Sequence, residues 1–583
     1  MPTSDAAVLA LCDEVWKWRL DQSPELATFC GFHQYDDRWD DISEESCLKK
    51  EKTVAEFLKR AEALETADCT PDVALSHALL VEDLKLYLRG SAFKSYLMPI
   101  SYLEGIHLDF DLTLSYMKYD TEEDFNKYLS RLQKLPQRIE QVIVLLKKGV
   151  EEGIVQFSTS VNRVPKQIES ILNTAIDEQA FLKPFTEEHP QVPKEQLEKI
   201  QVTARDLVKS AIVPALKALK TYIEEEYSIH VRPGEGISTI KDGLQWYQQC
   251  LNFHLTCSMT PQQVHDLGLK EVARIHERIF QVAEKEQLGK TCPEIMEAIT
   301  KRQKGHFKTK DEILEYVKNL CYKKIQPKLS QLFGNLPDLP MKIEAAPESR
   351  KDAPMGMYLN GTPDGSREGH YYINNHNLDE CLPYQFPALS LHEGEPGHHL
   401  QGVYALAATH LPDFRRYAED SKYYLAPARF SFNTAYVEGW GLYSESLGEE
   451  LNVYEDNFEL LGRYGFESFR AARLVVDTGL HAFGWSKEQA VKYMVDNVLT
   501  PQAEMAREVE RYITWPGQAC AYKVGEIKIW ELRRKAENIL GTQFDIREFH
   551  HQILSCGAVP LTVLEMIVDQ YIESAKLRQQ PGH

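Results

Sequence analysis

The sequence predicts a mainly α-helical protein with one small β element. Three observations carry that expectation. Apolar residues recur at spacings of three and four along most of the chain, the pattern of amphipathic helices. One stretch alone, residues 355–374, reads as two short strands around turn chemistry. No fixed-period repeat or low-complexity tract interrupts this texture.

The elements follow in order. Residues 5–21 form a helix that stops near Ser23-Pro24. Its apolar start, Ala6 to Leu11, is flanked by Asp5 and Asp13 and has no basic lead, so it reads as an amphipathic helix and not a signal peptide. Residues 47–67, 74–91, 122–151, 160–181 and 193–227 continue the helical pattern, with Pro136 expected to start or kink a helix. Pro233-Gly234-Glu235-Gly236 is the clearest break in the first half and suggests a division at 232/233 within one integrated two-lobe fold. Residues 237–330 are helical again, and Thr260 with Pro261 supplies an N-cap and a first helical position. Pro337 to Pro354 is rich in proline. Residues 355–360 and 369–374 then read as strands around Gly361-Thr362-Pro363-Asp364-Gly365. An exposed strand there could hold an extended peptide by strand addition, and a purely structural hairpin is the alternative. From 386 onward the chain is helical.

The length, 583 residues, exceeds what one compact core usually serves. Sixty-six basic residues face 87 acidic ones, a net charge of −21. That balance argues against binding nucleic acid or an anionic membrane, both of which need a basic surface. No stretch has the apolar length of a membrane span. The 11 cysteines are scattered without a CxxC pair, the usage of reduced thiols, and point to the cytoplasm.

The chemistry is concentrated in Leu391-His392-Glu393-Gly394-Glu395-Pro396-Gly397-His398-His399-Leu400-Gln401, which places three histidines and two carboxylates in eight positions. Imidazole is a preferred ligand for catalytic zinc, and a neighbouring carboxylate is the usual base for its water. Pro396 rules out the common His-Glu-x-x-His helix. On a straight helix, His399 would lie about 20° short of two turns from His392, and His398 about 240° round. Pro396-Gly397 makes a straight helix doubtful, so spacing leaves both histidines open. Downstream, Glu438, Leu442 and Glu445 share a helix face, with Glu438 among apolar and aromatic neighbours. A buried carboxylate needs a partner, and a divalent ion is a suitable one.

These residues carry a family resemblance. His392-Glu393-Gly394-x-Pro396-Gly397-His398-His399-x-Gln401, Glu438-Gly439-Trp440, Arg473-Leu474-x-Val476-Asp477-x-Gly479-x-His481-x-x-Gly484-Trp485-Ser486 and Trp515-Pro516-Gly517-Gln518-Ala519-x-x-Tyr522-Lys523-x-Gly525 together resemble the DUF885 family. Pro24-Glu25-Leu26-Ala27-Thr28 and Tyr35-Asp36-Asp37-Arg38 extend the likeness into the first half. The resemblance implies a zincin-like, two-lobed helical metallopeptidase fold, similar to thimet-type and Taq-carboxypeptidase-type peptidases. It implies one metal ion per chain on His392, His398 and Glu438, zinc first and another divalent metal such as manganese or cobalt as the alternative, with Glu393 as general base. It favours His398 over His399, because the family pattern keeps the first histidine of that pair.

Other roles follow from that frame. Two histidines and one carboxylate leave zinc an open position. A developing oxyanion needs a second donor, for which Tyr522 is the first candidate and His481 the second. Gln518 or Lys523 could hold a substrate carboxylate, and Tyr371 and Tyr372 could line a cleft. Arg473 and Asp477, four apart, could be an ion pair or could orient a ligand. The expected function is zinc-dependent hydrolysis of short peptides, in a carboxypeptidase or dipeptidase manner. The competing expectations are a zinc hydrolase of other amides or esters, and a non-catalytic binder on the same scaffold.

Overall fold

The computed structural model describes residues 4–337, 340–347, 354–363, 365–417 and 426–577. Asp364, within the expected turn, lies outside them. The protein is mainly helical with one three-stranded sheet. Among the described residues no helix is long and apolar enough to cross a membrane.

The first half is helical as its periodicity predicts, with helices at Ser4–Gln22, Glu44–Glu62, Pro71–Ser91 and Glu122–Glu152. Pro136 neither starts nor ends the last of these, which runs through it. Leu132, Leu135, Ile139 and Val142 are buried on both sides of the proline, and that burial outweighs one lost backbone hydrogen bond. The helix expected at 160–181 is instead broken into Ser158–Val161, Val164–Asn173 and short 3-10 turns. Pro165 sits in the first turn of the middle piece, where its missing N–H does no harm.

A change of core falls at the Pro233–Gly236 break. One hydrophobic cluster is drawn from residues between Trp39 and Tyr227. The largest spans Ile237 to Ile572 and takes only Leu79, Met98 and Phe157 from earlier in the chain. Helix Pro261–Glu286 opens with the expected cap: the Thr260 hydroxyl accepts from the Gln263 N–H, and the Gln263 side chain accepts from the Thr260 N–H.

The sheet contains the expected pair and one more strand. Strand β1 is Met341–Ala345, β2 is Gly356–Leu359 and β3 is Gly369–Ile373. Their order is β1-β3-β2, with β3 parallel to β1 and antiparallel to β2. Strand β1 hides in the proline-rich stretch. Its parallel pairing leaves no local hairpin turn to announce it. β3 alternates strictly, so Gly369, Tyr371 and Ile373 face the core while His370 and Tyr372 face outward.

Two glycines set the closest helix crossing. A Cβ on Gly525 would lie 1.8 Å from the Ala435 carbonyl oxygen, and one on Gly439 would lie 2.5 Å from the Gly525 Cα. Helices Thr434–Glu450 and Ala521–Leu540 therefore meet backbone to backbone. Gly525→Ala should force them apart and destabilise the fold by about 1–3 kcal/mol or more, the usual range for overpacking. A variant that unfolds at the wild-type denaturant concentration would contradict this packing.

Candidate metal centre

Helix Phe386–Glu393 ends on the first two chemical residues of the motif. The four residues 394–397 turn, and a second helix, His398–Ala407, begins at His398. Gly397 permits the turn, since a Cβ there would sit 1.9 Å from the His392 carbonyl oxygen. The chain thus changes direction between the histidines. The straight-helix geometry that favoured His399 does not apply.

His398 faces the site. Its Nε2 lies 3.4 Å from Glu438 Oε2, and His392 Nε2 lies 3.6 Å from the same oxygen. The two imidazole rings are 4.8 Å apart and perpendicular. One donor atom from each of His392, His398 and Glu438 falls within 4.8 Å of the other two. His399 is buried elsewhere, with Nδ1 3.0 Å from the Tyr358 hydroxyl. The structure therefore groups the three residues that the family resemblance implied.

The supports come from several segments. Trp440 donates its indole N–H to the Pro396 carbonyl at 2.8 Å, tying the two motifs together. Gly441 leaves room for His392, because a Cβ would come within 2.8 Å of its ring. His392 Nδ1 lies 2.8 Å from Glu445 Oε1. A carboxylate on the far nitrogen fixes the imidazole's orientation and raises its basicity as a ligand. Glu445 had no assigned role in the sequence, although its place seven residues after Glu438 on one face was the available signal.

Electrostatics fit a cation. Burial alone would push His392 down, but Glu438 and Glu445 outweigh it and raise its pKa to about 9. Burial would raise Glu438, yet the two histidines hold its carboxyl well below the usual range. Two histidines and a carboxylate form a borderline donor set that suits zinc. The side chains of His398 and Glu438 keep 14% and 15% exposure, so the group is not sealed from solvent. Glu393, directly after His392, is buried at the helix end, and its charge helps hold the His392 proton.

Tyr522 adjoins this group. Its ring stacks on His392 with centroids 6.3 Å apart and planes 22° from parallel. Half-buried Gln518 lies one turn earlier, with its amide 3.5 Å from the Tyr522 hydroxyl. Asp477 holds the turn that begins this segment by accepting from the Gly517 N–H at 3.0 Å and the Tyr247 hydroxyl at 2.6 Å. Burial pushes the Asp477 carboxyl up to about 7 against those hydrogen bonds. Asp477 does not pair with Arg473, which instead meets Glu508 at 3.1 Å and Tyr512 at 2.9 Å.

Four expected site residues have other partners or surroundings. His481 is fully buried; its Nδ1 accepts from the Ile237 N–H and its Nε2 donates to the Tyr512 carbonyl. With both nitrogens committed to backbone, it has no donor for an oxyanion. Lys523 is fully buried with its ammonium 2.8 Å from Glu467, 2.8 Å from Glu526 and 3.3 Å from Glu271. Three carboxylates already neutralise it, so it is no anchor for a substrate carboxylate. Tyr371 is completely buried in the core behind the His392 helix and lines no cleft. Tyr372, on the other face of the sheet, bonds His370 at 3.0 Å.

The model of a family described as bacterial protein of unknown function (DUF885) matches residues 24–568, and the chain belongs to that family. No curated protein matches it. Among solved structures, one described as "the putative lipoprotein from Colwellia psychrerythraea" is 26% identical. The match covers 98% of this chain and 100% of that one, with a TM-score of 0.92. A second, "a putative lipoprotein of unknown function from Shewanella oneidensis", is 18% identical. It covers 97% of this chain and 100% of its own, with a TM-score of 0.71, and shares the fold.

Two outcomes check this centre. Below pH about 9 the metal-free His392 carries a proton that an incoming ion must displace. Zinc binding at pH 8 should therefore release a proton from His392, and affinity should rise with pH up to about 9. Calorimetry in buffers of different ionisation enthalpy reads this directly, and binding without proton release would contradict the assignment. Glu445→Gln should weaken zinc binding by roughly 10- to 100-fold, the usual effect of losing such a support. Unchanged affinity in a competition assay would remove Glu445 from the centre.

Proposed function

We propose that this chain is a zinc-dependent hydrolase, most specifically a peptidase of short peptides. The observation that carries the reading is the joint placement of His392, His398 and Glu438, with Glu393 next in sequence to one ligand and Tyr522 stacked on it. In this reading the zincin-like likeness extends to the architecture, with 1–232 and 233–583 as two lobes about the site.

The residues divide the work. His392, His398 and Glu438 hold the ion, and Glu445 fixes the ring of His392. Zinc, when bound, supplies Lewis acidity and a water of lowered pKa. Glu393 takes the proton from the attacking water and returns it to the departing amine. Tyr522 offers a phenolic hydrogen bond to the oxyanion that develops on the scissile carbonyl. Water adds across the amide bond, leaving a carboxylate and an amine. Peptides are favoured over other amides because the donors sit in a helical site bounded by aromatic and amide side chains that suit a backbone.

The test joins metal content with turnover. The purified chain should carry close to one zinc and should hydrolyse members of a short-peptide panel. Glu393→Gln should keep its zinc yet lose at least about two orders of magnitude in rate, the contribution of a general base. Near-normal turnover in that variant would remove Glu393 from the mechanism. A chain that takes up no zinc would overturn the whole reading.

A further inference from the structure

Two arginines converge on the ring of Tyr522. The guanidinium carbon of Arg473 is 4.7 Å from the ring centroid and that of Arg470 is 5.8 Å. Both arise from helix Asn457–His481, three residues apart and so on one face. Both are deeply buried, with 4% and 8% exposure.

Their hydrogen bonding is incomplete. Arg473 gives Nε to Tyr512 and Nη2 to Glu508, but its buried Nη1 has no partner. Arg470 directs Nη1 to the Phe466 carbonyl at 3.5 Å and holds Nη2 3.9 Å from Glu445, but its buried Nε has no partner. Most buried polar groups in folded proteins are satisfied, and an unpaired donor on a charged group is costly. This contrasts with Lys523, whose ammonium meets three carboxylates.

The charge is also uncompensated. Arg511 chelates Glu508 through Nε and Nη2, so one carboxylate serves both Arg511 and Arg473. Glu445, the acid nearest Arg470, is engaged by His392. Burial and the neighbouring Glu508 push Glu504 up to about 7, which thins its negative charge near neutral pH. A net positive charge with free planar donors suits a carboxylate, which guanidinium groups recognise with matching geometry. Tyr522, on whose ring both arginines converge, is half-buried, as is Gln518 one turn before it.

Distance selects the kind of carboxylate. The Tyr522 ring touches both groups, with its centroid 4.7 Å from the Arg473 guanidinium carbon and 6.3 Å from the His392 ring, so Arg473 and His392 stand no more than a few residue lengths apart, consecutive Cα atoms being ~3.8 Å apart. We infer that Arg473, with Arg470 beside it, anchors the C-terminal carboxylate of a short peptide. The bond presented to the metal then lies within one or two residues of a free C-terminus. Which bond is cut depends on the peptidase reading, whereas which anion is held does not.

The experiment compares an N-acetylated dipeptide acid with its C-terminal amide. Calorimetry is done on the full-length, zinc-loaded Glu393→Gln chain, so that turnover does not intrude. The acid should bind on the order of a hundredfold tighter, the scale for a desolvated charge pair. In Arg473→Met that ratio should collapse towards one with zinc content unchanged, and in Arg470→Met it should shrink. Equal binding of acid and amide overturns the anchor. So does a preference that survives both substitutions, which would place the carboxylate on the metal. Should Arg473→Met fail to fold, Arg470→Met and the acid-to-amide comparison decide. A parallel hydrolysis assay on wild type separates the two readings. An acid preference without cleavage keeps the anchor and discards the peptidase, whereas equal cleavage of both keeps the peptidase and discards the anchor.

Discussion

Helices Thr434–Glu450 and Ala521–Leu540 cross with backbone against backbone, and the chemical residues stand on either side of that crossing. Glu438 immediately precedes Gly439, and Tyr522 is one turn before Gly525. Any larger side chain at either glycine would meet a carbonyl or a Cα at less than van der Waals distance. The close approach places a candidate ligand carboxylate and a phenol in one site although 84 residues separate them. Trp440, next along, pins the Pro396 turn, so one crossing also governs where His398 starts its helix.

Several charged groups are buried around this crossing, and their partners sort them into two kinds. Glu467, Glu526 and Glu271 are balanced by Lys523, Arg274 and Arg463, and His481 is satisfied by two backbone groups. Such groups hold helices together and have nothing left to offer a ligand. The group of His392, His398 and Glu438, and the free donors of Arg473 and Arg470, are different. The first group brings three metal-type donor atoms within 4.8 Å of one another, and the second keeps buried donors without a partner, the arrangement on which the proposed ion and anion sites rest.

Local signals were legible wherever neighbours in sequence remain neighbours in space. The cap at Thr260, the pairing of β2 with β3, and the helical texture all depend on contacts within a few residues. So does the candidacy of His392 and Glu393, which needs only residue type and adjacency. Strand β1 was not legible because its partner is β3, 28 residues onward and parallel. The helix over 122–151 was legible from its periodicity, but not that it would run on from before Pro136, which depends on buried residues packed by other segments. Tyr371, His481 and Lys523 looked available by their motif positions, and only their burial and partners removed them.

The sequence by itself determined the helical class, the donor types of the centre and the identity of its general-base candidate. These depend on backbone propensity and side-chain chemistry, which each residue carries with it. The tertiary structure decided that His398 and not His399 faces Glu438, that Glu445 supports His392, and that Arg473 keeps a free donor. Each of those outcomes depends on where the chain turns and on which distant segment fills the neighbouring space. Linear spacing does not encode that, because the partners meet only when separate helices pack.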